Sequence, residues 1–292
     1  MASAELRIIR RRIKSVKSTM KITRAMELIA ASQIAKAQDR VSKSIPYVQQ
    51  LRNVIRNVAA ASGSSDHILL ADDRAGDVGV MVITSDRGLA GAYNTNVIRA
   101  AERYIERLDD RPRLYVVGKK AQGYFRYRGY EIQRAFLGMT DRPVYGDARQ
   151  IANIVLDDYA RENVRSLLVY YTEFKSALTQ DVAQFTLMPV EPPASDETAE
   201  TATTAAAYSY EPSPEVILGR LLPRYVEASV FGALLNASAS EHAARRRAMK
   251  AATENAEDLT KILTRTANQA RQAEITTEIS EIVGGAEALS GR

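Results

Sequence analysis

The sequence predicts an α/β protein: a Rossmann-like domain with a mostly parallel sheet, set between two terminal helices too long for that domain to bury. Three observations carry this. Past Pro214, the stretch from Ser213 to about Ile282 holds only Pro223, Gly219 and Gly232 as helix breakers. The stretch from about Ala4 to Ala61 has no glycine and a single proline, Pro46. Between the two, apolar runs of strand length alternate with segments of helical periodicity. About 70 helical residues span roughly 105 Å, whereas a compact body of 292 residues has a radius of gyration of about 19 Å. Such helices must pair with each other or enter a partner.

In chain order, the first helix carries apolar residues at Ile9, Ile13, Val16, Met20, Ala25, Leu28 and Ile29, then Ile34, Ala35 and Val41. Spacings of three and four dominate, the mark of a narrow amphipathic stripe. Pro46 removes a backbone donor and is expected to kink or interrupt the helix. The pattern resumes through Val48, Leu51, Val54, Ile55 and Val58 and stops at SGSSD. Next come a strand in GDVGVMVITSD (76–86), a helix over 94–110 capped by Asn94 or Thr95, and a strand in RLYVVG (113–118). A short helix (119–129), a strand in YEIQRAFLG, a helix over 147–163 and a strand over 166–174 follow. That alternation predicts a helix-covered sheet. The run EPPASDETAETATTAAA (191–207) is acidic and low in complexity, which suits a surface loop.

The last helix bears Leu218, Leu221, Leu222, Tyr225, Val226, Leu234 and Leu235, then turns alanine-rich. Its stripe resumes at Leu259, Ile262, Leu263, Ala267, Ala270, Ile275, Ile279, Ile282 and Val283. The glycines at 284 and 285 are expected to end or loosen it. The chain thus divides into an N-terminal helix (1–62), an α/β domain (75–190), an acidic loop and foot (191–212) and a C-terminal helix (213–292).

Composition excludes much chemistry. The chain has no cysteine and only two histidines, His67 and His242, so disulfides, thiolate nucleophiles and cysteine metal sites are ruled out. A histidine zinc site or a Ser-His-Asp triad has little to draw on. The basic N-terminus lacks the apolar core of a signal peptide. No run approaches the roughly 20 apolar residues that span a bilayer, which predicts a soluble or peripheral protein. The net charge of +5 is uneven: residues 1–62 carry thirteen Lys/Arg against Glu5, Glu27 and Asp39. A helix so basic needs a nucleic acid, an anionic membrane or an acidic protein surface.

Three readings stay open on residues alone. The turn SDRGLAGAYN (85–94) follows a strand and precedes a helix, but fits neither the dinucleotide fingerprint nor the P-loop, so a tight turn is favoured over a nucleotide site. Asp109/Asp110 and Asp157/Asp158 read as solvated faces. Arg10, Arg11, Arg12, Lys14, Lys17, Lys21 and Arg24 would suit a coiled-coil nucleic-acid binder, yet no aromatic is interleaved to stack bases. A protein-facing or solvated basic face is the stronger alternative.

Longer motifs point to one family. ITTEISEIVGGAEA (275–288) resembles the C-terminal signature I-T-x-E-x-x-E-x-x-x-G-A-x-A of the γ subunits of F-type ATP synthases. KITRAMELIAASQIAKAQ (21–38) is similar to that family's opening helix, and SDRGLAGAYN to its first strand–turn. YTEFKSALTQ, YEPSPEVILGRLLPRYVEASVF and SEHAARRRAMKAATENAEDL also match, so the resemblance covers essentially the whole chain.

The resemblance implies that the terminal helices wind into an antiparallel coiled coil inside an α3β3 ring, with the foot on a ring of c subunits beside ε. One copy would couple ion-driven c-ring rotation to the nucleotide sites of β. It would bind no cofactor, metal or nucleic acid and hold no catalytic residue or membrane insertion. It would lie peripherally on the cytoplasmic side of a bacterial-type cell membrane. By motif position, Met26, Lys21, Arg24, Arg245, Arg271, Gln272 and Thr276 would contact β, and Tyr208 and Glu211 the c-ring or ε. Ala90 stands where many relatives carry cysteine, and the chloroplast-type cysteine insertion is missing, so thiol regulation of that kind is excluded. The Ala-, Ser- and Thr-rich upper helix is expected to offer little large apolar surface and so to turn with low friction.

Overall fold

The computed structural model describes residues 2–62, 67–71, 74–190 and 211–290. In chain order the elements are α1 (Ala2–Ser62), β1 (Asp77–Ile83), α2 (Tyr93–Ile105), β2 (Arg113–Val117) and α3 (Lys119–Tyr127). They continue with β3 (Ile132–Phe136), α4 (Tyr145–Ala160), β4 (Val164–Phe174), β5 (Gln180–Met188) and α5 (Pro214–Ser290). The sheet order is β3-β2-β1-β4-β5. β1 runs parallel to β2 and β4, and β2 to β3, while β5 is antiparallel to β4. Contacts group residues 31–244 into a body and residues 1–30 with 245–292 into a helical unit.

In the body, period-two alternation sends successive β1 side chains to opposite faces. Val80 and Val82 join Val97, Ala101, Ile105 and Phe125 of α2 and α3. Met81 and Ile83 join Ile151, Val155 and Tyr159 of α4. The same cluster takes in Leu51, Ile55 and Val58 of α1 and Leu218, Leu222 and Val226 of α5. Both faces are covered, as a parallel sheet requires.

From Ala237 to Ala244 every residue of α5 is buried. Its alanines and serines let neighbours approach closely: Ser240 Oγ donates to Thr172 O (3.2 Å) and Tyr93 Oη to Ala237 O (3.1 Å). α5 begins as the sequence rules require. Ser213 caps it, its Oγ accepting from Val216 N at 3.5 Å, and Pro214 takes the first helical position, where no amide donor is needed.

Several expectations are corrected. α1 runs through Pro46 without a break. The proline and Ser42, whose carbonyl loses its donor, are both exposed, so water can take the missing bond. α5 continues past Gly284 and Gly285 to Ser290, since glycine inside a helix costs only about 1 kcal/mol. Neither Asn94 nor Thr95 caps α2. Ala92 holds that position without a side-chain bond, and Asn94 Oδ1 instead accepts from Ser85 N and Oγ, both at 2.9 Å. The sequence reading lacks β5 because polar residues interrupt QDVAQFTLM and leave no continuous apolar run.

Candidate partner-contact surfaces

The helical unit is an antiparallel pair. Leu6 and Ile9, early in α1, share a buried cluster with Ala267 of α5. Further along α1, Thr23 Oγ1 meets Thr253 Oγ1, earlier in α5, at 2.8 Å in a buried contact. The seam is a strict heptad of alternating four- and three-residue steps: Ile9, Ile13, Val16, Met20, Thr23, Glu27 and Ala30 on α1 are all buried or half-buried. On α5 the matching seam is Met249, Thr253, Ala256, Thr260, Leu263, Ala267 and Ala270. Most seam residues of α5 are small or polar, which allows close helix approach.

That register corrects the apolar stripes read from sequence. Ala25, Leu28 and Ile29 of α1 are exposed, as are Leu259, Ile262, Ile275, Ile279, Ile282 and Val283 of α5. Counting apolar residues at loose three-to-four spacing mixed two faces. A strict 3.5-residue repeat, which admits Thr23 and Glu27, would have separated them. From Ile275 to Ala286 every residue is exposed, and Ile282 reaches 71%. The upper helix therefore does carry large apolar surface, contrary to the low-friction expectation. As far as Ala270 the α5 seam is mostly small or polar while Leu259 and Ile262 face out, and from Ile275 onward no side of the helix is covered. Contiguous apolar exposure of this sort marks an interaction surface.

Of the motif-matched positions, five are exposed on the helical unit: Lys21, Arg24, Arg271, Gln272 and Thr276. Lys21 and Arg24 are exposed, Arg24 pairing with Glu27 at 3.2 Å, and Met26 is half-buried. Arg271, Gln272 and Thr276 are exposed, and Thr276 Oγ1 donates to Gln272 O at 2.9 Å. Arg245 is buried, at 7% exposed. Glu211 is exposed, and Tyr208 lies outside the described residues, as does the acidic 191–207 run.

At the carboxyl ends of the body's strands, where open α/β sheets commonly receive ligands, the chain fills the crevice itself. Asp86 Oδ1 accepts from Lys119 N (3.2 Å), and Oδ2 accepts from Gly138 N (2.9 Å), Thr140 N (3.3 Å) and Thr140 Oγ1 (3.0 Å). One carboxylate in the β1–α2 connection thus engages the other two connections, β2–α3 and β3–α4. Gly118 allows the closure: at φ +92°, a Cβ there would lie 2.5 Å from Thr84 O. A phosphate would have to displace Asp86, which supports the tight-turn reading of SDRGLAGAYN. Among the described residues no group of three or more His, Asp or Glu side chains could hold a metal, and no helix is long and apolar enough to cross a membrane.

The chain thus combines an α/β body with an antiparallel helix pair whose exposed surface is partly apolar and cationic, the composition of an interaction surface. A family model described as ATP synthase matches residues 5–289. The ATP synthase gamma chain of Saccharopolyspora erythraea is 47% identical, covering 98% of both chains. That of Mycolicibacterium smegmatis is 45% identical over 99% of both. The chain belongs to the ATP synthase gamma chain family. The fold is shared with a chain of the Euglena gracilis mitochondrial ATP synthase OSCP/F1/c-ring structure, at 19% identity and a TM-score of 0.70, covering 98% of this chain and 95% of that one. A chain of the rotor structure from the same organism aligns with a TM-score of 0.66 at 20% identity, covering 94% and 99%.

Proposed function

We propose that this chain is the rotating central-stalk γ subunit of an F-type ATP synthase and holds no catalytic residue of its own. Its helical unit stands inside an α3β3 ring, and its foot, with Glu211 and Tyr208, rests on the c-ring beside ε. One copy serves each complex, on the cytoplasmic side of the cell membrane. Ion flow turns the c-ring, and the unequal faces of the shaft drive the β sites through their nucleotide states in turn. The observation that carries this reading is the exposed apolar end of α5, with Ile275, Ile279 and Ile282, beyond a closely packed helix pair on a chain of the gamma family.

Lys21, Arg24 and Met26 of α1, with Arg271, Gln272 and Thr276 of α5, supply the contacts to β. Arg245, being buried, acts by holding α5 in place. The nucleic-acid reading gives way, because an acidic lever on β meets the charge of α1 equally well and the family accounts for the whole chain. Friction is limited by spreading the apolar contact: at about 25 cal/mol per Å², a surface shared among three ring positions favours none strongly.

The lack of native cysteine makes the test clean. Gln272→Cys assembled with α and a β subunit carrying one cysteine in its facing loop should form a disulfide that stops ATP-driven rotation, and reduction should restore it. If the crosslink forms and hydrolysis and rotation continue unchanged, the rotor reading fails.

A further inference from the structure

The body holds a cavity of about 480 Å³ with no role in the reading above. Its walls are Tyr47 and Val48 of α1, Tyr145 at the start of α4 and Phe231 of α5, and Ala228 and Leu235 form its floor. Ala228 and Leu235 are each 2% exposed, so the floor is part of the packed core. Phe231 meets Tyr145 edge to face with centroids 5.6 Å apart, which fixes two of the walls. The volume falls in the roughly 300–1,000 Å³ range of small-molecule sites.

The rim is cationic. Arg40, Lys43 and Arg224 line the mouth. Lys43 is paired with Asp39 at 2.7 Å, but neither Arg40 nor Arg224 has an ion pair among the described residues. Among the described residues no acid lines the cavity, and Glu227, which reaches one wall, is already engaged: Tyr145 Oη donates to Glu227 Oε2 at 2.6 Å, and Arg149 Nε lies 3.7 Å from the same oxygen. Arg149 also sits over the Tyr145 ring, 5.4 Å from its centroid. Burial, then the bond to Glu227, pushes the Tyr145 hydroxyl up to about 12, so it stays a donor across the physiological range. An apolar floor with aromatic walls, under a mouth that among the described residues offers unpaired guanidinium groups and no carboxylate, is complementary to one kind of molecule.

We infer that this cavity binds a free single-chain anionic amphiphile, such as a medium-chain carboxylate. The chain would lie on Ala228, Phe231 and Leu235 and the carboxylate would reach Arg40 and Arg224. Guanidinium matches a carboxylate two bonds at a time, which sets the headgroup preference.

The test titrates the unaltered full chain with sodium decanoate below its micelle concentration and follows heat. Decyltrimethylammonium serves as the charge-reversed probe and phosphatidylglycerol vesicles as the membrane source. The expected result is saturable, one-to-one decanoate binding at least tenfold tighter than that of the cation, with vesicles not competing. Arg224→Glu should weaken it tenfold or more, and Ala228→Phe, which fills the floor, should abolish it. The chain lacks tryptophan, so Phe231→Trp adds a single indole whose blue shift should saturate at the same concentration. Equal binding of both headgroups, no saturable binding, a preference for vesicles, or indifference to Arg224→Glu in a chain of unchanged circular dichroism would each overturn the site.

Discussion

The body and the helical unit use apolar residues in opposite ways. In the body, large side chains are inside: Tyr115, Tyr159, Phe125 and Leu222 are all fully buried, and the helices close on them. In the helical unit the buried seam of α5 is Ala256, Thr260 and Ala267, while Ile262, Ile279 and Ile282 face out. The difference is physical. A sheet-based body has two faces of its own to fill, whereas two paired helices have only one narrow strip between them. Large residues beyond that strip serve whatever surrounds it. The body is thus built for its own stability and the helical unit for partners.

This contrast gives its largest expected effects at a matched pair of sites. Leu222→Ala removes a fully buried side chain and should cost about 2–5 kcal/mol in denaturant unfolding of the full chain. Ile282→Ala, at 71% exposure, should change the same measurement by less than about 0.5 kcal/mol yet weaken assembly with α and β. If Ile282→Ala destabilised the isolated chain as much as Leu222→Ala, the division would be broken. Ala239→Leu comes next. Ala239 is fully buried where α5 is enclosed all round, so added bulk should cost about 1–3 kcal/mol by overpacking.

The body was legible in the sequence because its strands are continuous apolar runs and its helices start near turn residues. The continuous helices were legible from their scarcity of glycine and proline, although Pro46 gave a false stop in α1 because helix packing on either side overrides a local propensity. β5 was hidden because Gln180, Asp181, Gln184 and Thr186 interrupt its apolar residues and leave no continuous apolar run. On the helical unit the motifs found exposed positions such as Lys21, Arg24 and Gln272, but periodicity misassigned Leu28, Ile29 and Ile279 to the seam. A stripe count assumes that large apolar residues point inward. That assumption holds for a protein that folds alone and fails on a face reserved for a partner. The Asp86 closure was beyond sequence reasoning, since it joins residues 86, 119, 138 and 140 only through the sheet topology.

The seam of the helical unit can be probed through its buried hydroxyl pair. Thr23 Oγ1 also lies 3.0 Å from Met20 O, and Thr253 Oγ1 2.9 Å from Met249 O. Thr23→Val alone removes a partner but leaves Thr253 its backbone acceptor, so the cost should be near 1 kcal/mol. The double variant Thr23→Val, Thr253→Val should recover most of that, because two methyl groups then meet across the seam. A double-mutant cycle with no coupling would mean that the two helices are not held in this register.

The smallest effect expected is a pH dependence confined to the body. His67 sits before α5's partners in the core: its Nδ1 accepts from Leu69 N at 3.2 Å, and Leu69 and Leu70 are buried. Burial lowers its pKa from the usual 6.5. The unfolded chain therefore binds the proton more readily than the folded one, and folding is favoured when the ring is neutral. The contribution is complete above pH 6.5 and is lost as pH falls through the lower, folded value. His67→Gln should narrow the stability difference between pH 7.5 and pH 5.5 in urea unfolding. It should leave untouched the difference that carboxylates impose at lower pH. A variant whose stability fell more steeply than the parent's between those two values would show that His67 gains, and does not lose, protonation on folding.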